Sequence, residues 1–431
     1  MAPPAATAPG RLRRLVDLRP GEGGAALSGF GYFFSLLAGY YLLRPIREEM
    51  GIRGGVETLH WSFTATFAVM MAAIPAYSAL VARVPRTRAV PIVYRFFLLN
   101  LLLFFALFRL EVAPAWVARA FFVWLSVYNL FVVSVFWSLM ADVFTSEQAR
   151  RLFGFVAAGG TAGAIAGPAL VLGLARPLGI PGLVLLSAAF LEVAARSARH
   201  LAAGAPAREG PGPADAREAG EGAPVGGTVL SGIGAVFRSP YLAAIATHVL
   251  LFTLASTFLY LTQARIVADA LGDSTRRTQL FAGVDLAVSV AQLATQTFAT
   301  GRILSGLGLG AGLSVVPILS GAGFALLAAA PSLWAVGAFQ TIRRAAHFAI
   351  ERPAREVLFT VVSREERYKS KAFIDTVVYR GGDALGAWGQ AGLAGAGLGV
   401  AALSAAALPL AAASLGLALW LARRERRLEE P

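Results

Sequence analysis

Apolar runs of about 20 residues recur along the whole 431-residue chain. An α-helix needs about 20 apolar residues to cross the hydrocarbon core of a bilayer, where an open strand cannot satisfy its backbone polar groups. The sequence therefore predicts an all-α integral membrane protein with twelve transmembrane helices in two pseudo-symmetric halves of six. The predicted spans are residues 27–44, 59–82, 91–109, 114–140, 152–175 and 179–198, followed by 239–262, 278–300, 308–330, 332–351, 371–395 and 398–422.

The composition excludes several other classes of protein. Charged residues make up 15 % of the chain and apolar residues 57 %, whereas soluble domains average about 25 % charged residues. The absence of cysteine excludes disulfides and thiolate chemistry. The net charge of +13 comes from arginines between the apolar runs, as the positive-inside rule requires, and not from one basic face. We expect the lipid bilayer as a partner and no nucleic acid.

Charge and composition divide the chain into five parts. Residues 1–26 form a cytoplasmic tail, 27–200 the first six-helix half, 239–422 the second half and 423–431 a second cytoplasmic tail. The linker, residues 201–238, is rich in Pro, Gly, Ala and Glu and cannot bury a core. Its last segment, 228–238, is either an amphipathic surface helix or the start of the seventh span. The arginine distribution predicts a multi-pass inner-membrane protein with both termini in the cytoplasm.

A short pattern occurs twice, before the fifth and the eleventh predicted spans. Thr145 with Gln148, and Ser363 with Glu366, fit the S/T-x-x-E/Q capping box of a helix N-terminus. A Gly-Gly pair follows 14 residues after the first box and 18 after the second, a difference of about one helical turn. The two spans are therefore equivalent, which predicts two parallel repeats. The glycines expected to allow close helix packing are Gly159, Gly163, Gly167, Gly382, Gly386, Gly395 and Gly399.

Two levels of family resemblance accompany this pattern. Two six-helix halves with a central linker resemble the major facilitator superfamily, whose basic loop after span two is matched in part by the segment 79–88, ALVARVPRTR. More specifically, the chain resembles the bacterial branch of the ATP:ADP antiporter (nucleotide exchange translocase) group. That resemblance implies nucleotide exchange and is carried by GYYLLRPIRE at 39–48, VYRFF at 93–97, FWSLMAD at 136–142 and the segment 368–386.

Charged residues inside predicted spans are the candidate functional residues, because each costs about 2.5–3.5 kcal/mol to insert at a helix centre. In span ten, Arg344, His347, Glu351 and Arg355 follow one another at intervals of three or four, which predicts one helical face. This face is interpreted as a cavity wall that binds an anionic solute. The alternative is a solvated cytoplasmic helix end, which we favour for Arg355.

Span eleven carries Asp375, Arg380 and Asp383. Arg380 and Asp383 are three residues apart, close enough to form an ion pair within the helix. Such a pair either locks helix packing or forms in one access state and breaks in the other.

The first span ends in Arg44, Arg47 and Glu48, interpreted as an outer gate, although snorkelling also explains Arg47. Asp285 is an isolated acid in span eight and is predicted to be a proton-coupling group. The alternative is that Asp285 is a structural acid held by hydrogen bonds. The predicted substrate-binding or gating residues are Arg44, Arg47, Glu48, Arg95, Asp142, Arg344, His347, Glu351, Asp375, Arg380 and Asp383, and the proton-coupling candidates are Asp285, His347 and Asp383.

These patterns predict a secondary active transporter that moves a small polar, anionic solute by alternating access, either proton-coupled or by exchange. No Gly-x-x-x-x-Gly-Lys-Ser/Thr loop occurs, so no ATP-driven pump is expected. We expect no cofactor, no metal site, no catalytic residue and no enzymatic activity. Two alternatives stay open: a nucleotide exchanger of the ATP/ADP type, and a membrane scaffold or sensor without transport.

Overall fold

The computed structural model describes residues 18–19, 21–83, 86–204 and 231–429, with their side chains except at 77–78, 80–83, 86–89, 204, 231 and 429. All regular elements in these residues are helical, which confirms the predicted all-α class. Residues 1–17 and 20 of the predicted tail at 1–26, residues 430–431 of the predicted tail at 423–431, and residues 205–230 of the predicted linker lie outside the described residues.

The helices are numbered in chain order. The first half contains α1 (Gly23–Arg53), α2 (Leu59–Arg83), α3 (Arg86–Arg109), α4 (Pro114–Val143) and α5 (Ser146–Gly204), with a short 3-10 turn at Val56–Thr58. The second half contains α6 (Ser231–Arg238), α7 (Pro240–Ala270), α8 (Ser274–Phe298), α9 (Thr300–Gly306), α10 (Gly308–Ala329), α11 (Leu333–Ala346), α12 (Arg352–Val357), α13 (Arg364–Phe373), α14 (Tyr379–Gly395), α15 (Val400–Ala406) and α16 (Leu408–Glu429).

Two π-helical segments interrupt the tenth and eleventh predicted spans. The first π segment, His347–Glu351, lies between α11 and α12, and the second π segment, Ile374–Val378, lies between α13 and α14. A π-helix contains one extra residue per turn and occurs frequently at functional sites. Both segments fall where the sequence places charged residues inside a span.

In the described residues, eight helices are long and apolar enough to cross a membrane. One of them, α5, carries two predicted spans and is broken at Gly179, whose φ of 62° and ψ of 177° are not helical. These eight helices therefore account for nine of the twelve predicted spans. The other three are the polar spans eight, ten and eleven, which correspond to α8, α11 with the first π segment, and α13 to α14 with the second π segment.

The amphipathic segment at the end of the predicted linker forms its own helix, α6. Ser239 caps the next helix, α7, by accepting a hydrogen bond from the backbone N–H of Leu242 at 3.4 Å, with Pro240 in the first turn. Val236 is buried, and Gly232 lies close to the backbone of Lys369 on α13. This helix therefore packs against α13 and is not the first turn of the seventh span.

The chain forms two compact units. The first comprises the described parts of Met1–Gly54, Ala68–Arg208 and Asp273–Leu286, and the second comprises the described parts of Gly55–Phe67, Glu209–Gly272 and Ala287–Pro431. The core of the first unit is rich in aromatic side chains, for example Phe33 and Phe136, whose rings stack at a centroid distance of 4.1 Å.

The first predicted capping box forms in full, and the second forms in part. The backbone N–H of Gln148 donates to Thr145 Oγ1 at 3.2 Å, and the N–H of Thr145 donates to Gln148 Oε1 at 3.0 Å. In the second copy, the N–H of Glu366 donates to Ser363 Oγ at 3.3 Å, and this hydroxyl donates to Glu366 Oε2 at 2.7 Å. A hydroxyl oxygen therefore caps the helix start in both copies, and the glutamate of the second box contacts the serine hydroxyl in place of the serine backbone N–H.

The repeated glycines lie at equivalent helix contacts. In the first unit, a Cβ atom at Gly163 of α5 would lie 2.5 Å from the carbonyl oxygen of Phe34 on α1, and Gly159 is equally crowded by Phe30. In the second unit, Gly382 and Gly386 of α14 face Thr253 and Thr257 of α7. Glycine permits this close approach because it has no side chain. Spans five and eleven thus pack on spans one and seven, as parallel repeats require. The expectation of close packing at Gly395 and Gly399 is wrong, because a Cβ atom added at either residue would meet no atom within 4 Å.

We expect Gly163→Ala to destabilise the protein by about 1–3 kcal/mol, because the added methyl group must push α5 away from α1. Gly173 lies on the same helix, and a methyl group added there would meet no atom within 4 Å, so Gly173→Ala is the matched control. That control should be neutral or slightly stabilising, since alanine favours helix by up to about 1 kcal/mol. Thermal unfolding of the purified variants tests this contact, and equal melting temperatures for the two would contradict it.

Outside the spans, Glu22 joins the start of α1 to the start of α5. Its carboxylate accepts hydrogen bonds from Arg151 at 2.8 and 3.0 Å and from Gln148 Nε2 at 3.2 Å. The hydrogen bonds from Arg151, together with those from Gln148 and the backbone of Arg19, outweigh burial and lower the pKa of Glu22 from 4.5 to about 2.

This shift makes stability depend on pH. A carboxyl with a lowered pKa in the fold stabilises it above pH 4.5, and the stabilisation is lost as the pH falls towards about 2. We expect Glu22→Gln to cost about 1–2 kcal/mol at pH 7, because water partly screens this ion pair, and this cost should shrink steadily below pH 4.5. Glu57→Gln is the control, because the Glu57 side chain is 81 % exposed. Denaturation at several pH values measures the effect, and a pH-independent cost would exclude this ion pair as its source.

Candidate functional site

The buried charged face of span ten begins one residue earlier than predicted. Arg343 is 3 % exposed and His347, Glu351 and Arg355 are also buried, whereas Arg344 is half-buried. Ser332 starts the helix by accepting a hydrogen bond from the N–H of Ala335 at 3.2 Å, and the buried positions then follow at intervals of four. The predicted face therefore exists, with Arg343 as its first buried arginine.

The Glu351 carboxylate lies between two imidazoles in the second unit. One oxygen, Oε2, is within hydrogen-bond distance of His347 Nδ1 on the preceding turn. The other, Oε1, lies 3.3 Å from Nε2 of His248, which comes from α7. Glu351 and His248 are each 1 % exposed. We call Glu351, His347 and His248 the carboxylate–imidazole cluster, because it brings together one carboxyl group and two imidazole groups, each of a type that can carry a proton.

Further contacts fix the two imidazoles in place. The ring of Phe252 stacks on His347 with a centroid distance of 4.1 Å and an angle of 16°. On the other side, Ser414 Oγ of α16 lies 3.5 Å from His248 Nδ1. Three parts of the second unit, α7, the first π segment and α16, therefore position the cluster.

Arg343 lies beside this cluster with neutral partners. Its Nε donates to Ser320 Oγ at 2.8 Å, and its Nη2 donates to Ser256 Oγ at 2.9 Å and to the carbonyl oxygen of Phe252 at 3.4 Å. Among the described residues, no carboxylate lies within ion-pair distance of Arg343. A small cavity is lined by Arg343, Ser320, Phe252, His248, Glu351 and Ser414. A cation held by hydroxyl groups at a cavity can bind an anion, since its charge is not already neutralised.

A further ion pair joins α12, which follows the first π segment, to the second π segment. Arg355 Nη2 lies 3.3 Å from Asp375 Oδ1, and the arginine side chain is 8 % exposed. The expectation that Arg355 is a solvated helix end is therefore wrong, because the second π segment covers it. Lys371 contacts Glu356 next to this pair. Charged contacts thus hold span ten against span eleven at this end.

The predicted pair inside span eleven is present. Arg380 Nη1 lies 3.6 Å from Asp383 Oδ2, and Thr257 of α7 donates its hydroxyl to Asp383 Oδ1 at 3.2 Å. Asp383 therefore lies at the same glycine-lined contact between α14 and α7 that the repeat builds.

In the first unit, two ion pairs connect α1 to α8. Arg44 Nε lies 3.7 Å from Oδ2 of Asp285, which is 3 % exposed. The prediction that Asp285 is isolated is therefore wrong, and its partner comes from a helix 241 positions earlier in the chain. Arg277 donates to both oxygens of the fully buried Glu49, at 2.6 and 2.8 Å.

The other predicted gating residues have different neighbours. Arg47, and not Arg44, contacts Glu48, at 3.3 Å, and its guanidinium lies 3.8 Å from the ring centroid of Phe122. Asp142 is half-buried in the last turn of α4. Arg95 is 48 % exposed on α3 and pairs with Glu192 of α5.

Sequence reasoning missed several residues that the structure brings to these sites. Arg343 carried a signal, since it is the other member of an Arg-Arg doublet. Ser256, Ser320 and Ser414 carried none, because serine is common in apolar helices and its role here depends on distant neighbours. Glu49 and Arg277 also carried no signal beyond their charge.

Three solved transporter structures are similar to the chain. A mutant of the nucleoside transporter NupG aligns with a TM-score of 0.64 at 13 % identity, over 94 % of this chain and 100 % of that one. A POT family transporter in complex with 5-aminolevulinic acid gives 0.62 at 10 % identity, over 94 % and 97 %. A bacterial homologue of the human lysosomal transporter Spinster gives 0.55 at 15 % identity, over 95 % and 97 %.

At these identities the likeness establishes the fold alone. The chain therefore has the fold of these three structures, and the predicted fold class is confirmed. No family model matches the sequence, and a comparison with curated proteins finds no match.

We expect Arg277→Gln to destabilise the protein by about 3–5 kcal/mol, because it leaves the buried Glu49 carboxylate without its partner. Arg276, the preceding residue, is exposed, so Arg276→Gln is the matched control and should change stability by less than about 0.5 kcal/mol. Thermal unfolding in detergent compares the two. Similar losses for both variants would show that the Glu49 pair contributes nothing specific.

Proposed function

We propose that the chain is a secondary active transporter that moves a small polar, anionic solute across the inner membrane by alternating access. The carboxylate–imidazole cluster beside Arg343 carries this proposal. It places four polar titratable or charged side chains inside predicted membrane spans, although each charge there is costly. A protein that served only as a scaffold would have no use for charged side chains that are costly to insert. The scaffold or sensor is therefore the weaker candidate.

The cluster is proposed as the site of proton coupling. Glu351 can share a proton with either His347 or His248, so one proton changes the net charge of the buried site. Arg343 supplies a fixed positive charge next to it. When an anion binds at Arg343, proton uptake by the cluster becomes more favourable, because unlike charges attract strongly in a medium of low dielectric. Binding of the anion and of the proton is thereby coupled.

Two of the predicted proton-coupling candidates, Asp285 and Asp383, rank below this cluster. The Asp285 carboxylate lies 3.7 Å from Arg44 Nε and so already has a cationic partner. Asp383 is held by Arg380 and Thr257, and we propose it as a gating residue whose contacts change between access states. Arg344, Arg355 and Asp375 are proposed to support this gate where span ten meets span eleven.

A nucleotide exchanger is the second candidate, and the resemblance of the segments 39–48 and 136–142 to nucleotide translocases favours it. Both lysines of the chain have carboxylate partners: Lys369 contacts Glu365 and Lys371 contacts Glu356. Arginine, and above all Arg343, is then the cation available for a phosphate group, which it binds with a planar fork.

The topology that accompanies this proposal is the one predicted from the arginine distribution. Both termini are cytoplasmic, and the halves 27–200 and 239–422 are joined by the linker at 201–238. Solvent labelling of single cysteines introduced into the two tails tests this orientation, because the natural chain contains no cysteine.

The solute is identified first. Purified protein is screened by thermal shift against nucleotides, nucleosides, sugar phosphates, carboxylates, amino acids, peptides and 5-aminolevulinic acid, because a ligand that binds the folded state raises its melting temperature. The solute classes include those of the similar transporter structures. A chain that binds none of these classes and transports none would favour the scaffold or sensor.

For a solute that binds, uptake into vesicles tests the proton coupling. A gradient of one pH unit should drive about tenfold accumulation in the native protein if one proton is coupled, since about 1.36 kcal/mol corresponds to a factor of ten. Glu351→Gln should abolish this accumulation and retain exchange of labelled for unlabelled solute. Glu365→Gln, at a side chain that is 67 % exposed, is the control. If Glu351→Gln accumulated solute like the native protein, Glu351 would not be the coupling residue.

A further inference from the structure

Three arginines surround one carboxylate on the outer surface of the first unit. Arg95 of α3 donates to both oxygens of Glu192 on α5, at 2.5 and 3.1 Å. Arg196 Nε donates to Glu192 Oε1 at 2.9 Å, and Arg199 Nη2 lies 3.9 Å from the same oxygen. Three guanidinium charges and one carboxylate leave a net charge of +2. We call these four residues the arginine cluster.

The arginine cluster lies on a surface that faces lipid. Along α3, Arg95 belongs to a stripe with Ile92, Phe96 and Leu99, whose exposed fractions are 54 %, 56 % and 65 %. These positions are three or four residues apart and so share one helical face. On α5, Val193 next to Glu192 is 50 % exposed. An exposed apolar stripe on a predicted membrane span contacts acyl chains, so the arginines emerge among lipids.

The arginines also keep donors that Glu192 does not use. A guanidinium has five N–H donors, and within the described residues Arg196 and Arg199 contact Glu192 as their one carboxylate. The Arg196 side chain is 72 % exposed and that of Arg199 is 54 % exposed. At the edge of the hydrocarbon region these donors need acceptors outside the protein. Phosphate oxygens of lipids are at this depth and accept from the fork of arginine.

We propose that the arginine cluster binds the headgroup of an anionic phospholipid in the leaflet on the cytoplasmic side. The net charge of +2 selects an anionic headgroup over a zwitterionic one, because a basic pocket between helices attracts an excess of negative charge. The acyl chains lie along the exposed stripe of α3. Arg95 then acts at the lipid surface and not as a substrate-binding residue, which replaces its interpretation from sequence.

The arginine cluster contains more charge than an ion pair needs in order to hold α3 against α5. Glu192 already receives two hydrogen bonds from Arg95, which suffices for such a lock. Arg196 and Arg199 add charge without adding a second acid. If the cluster has only a structural role, loss of Arg95 lowers the stability of the protein. If the cluster binds lipid, loss of Arg196 and Arg199 weakens the stabilisation of the protein by anionic lipid.

The test compares nanodiscs of phosphatidylcholine with nanodiscs that also contain phosphatidylglycerol with the same acyl chains. Native protein should melt at a higher temperature with phosphatidylglycerol, and lipid titration should give a saturable effect. The double variant Arg196→Gln/Arg199→Gln should weaken the apparent affinity about 25-fold, since each surface arginine contributes about fivefold. Arg199→Gln alone should lose about fivefold and is a milder variant if the double variant folds poorly.

Arg109→Gln is the matched control, because Arg109 is exposed at the opposite end of α3. It should keep the full response to phosphatidylglycerol. Inorganic phosphate added to phosphatidylcholine nanodiscs separates a lipid site from a site for a free anion. An equal response to phosphatidylglycerol in the double variant, or stabilisation by inorganic phosphate as large as that by the lipid, would overturn the proposal. These outcomes are independent of solute uptake.

Discussion

A charge inside a membrane needs a partner. In the proposed site, this constraint applies above all to the carboxylate of Glu351. Its carboxylate is buried between His347 and His248, so neither oxygen faces hydrocarbon. The π-helical turn places both residues of span ten on the inside, and α7 supplies the second imidazole. The first π segment and α7 therefore contact each other through this carboxylate, and α16 contacts His248 through Ser414. Arg343 is not paired with the carboxylate and donates instead to the hydroxyl groups of Ser320 and Ser256.

The two repeats share the features that build the fold but differ in their charged residues. Close glycine contacts join span five to span one and span eleven to span seven, and a hydroxyl group caps the helix start in both copies. Only the second copy carries a π segment and the charges at Asp375 and Asp383. The shared features build the fold, while the added charges and the irregular turn support the proposed function. A π-helical turn can also absorb a local change in register, which suits a helix that moves.

Local patterns in the sequence predict much of the fold. Apolar length predicts the spans, residue spacing predicts the Arg380–Asp383 pair, and the S/T-x-x-E/Q pattern predicts both caps, because each of these depends on residues close together in the chain. The partner of Asp285 could not be predicted, since Arg44 lies on another helix. The same holds for His248 beside Glu351. The break between spans five and six is expected from the span boundaries, and its position at Gly179 depends on a glycine conformation that other residues rarely adopt.

The sequence predicts Arg344 at the cavity, but the structure places Arg343 there. This difference also arises from contacts between residues on different helices. A stripe of charges fixes a helical face to within one residue, but packing of α11 against α7 and α10 determines which arginine is buried, with Ser256 and Ser320 as its acceptors. The buried face was thus predictable and its register was not. Arg95 shows the opposite case, where a charged residue in a predicted span is 48 % exposed on the surface of the first unit.

The number of protons bound or released with the solute is the most direct test of the carboxylate–imidazole cluster. Calorimetry in buffers of different ionisation enthalpy measures this number for a solute found by thermal shift. Proton coupling at Glu351 predicts that solute binding to the native protein changes the number of bound protons and that binding to Glu351→Gln does not. An identical proton change in both proteins would contradict the account.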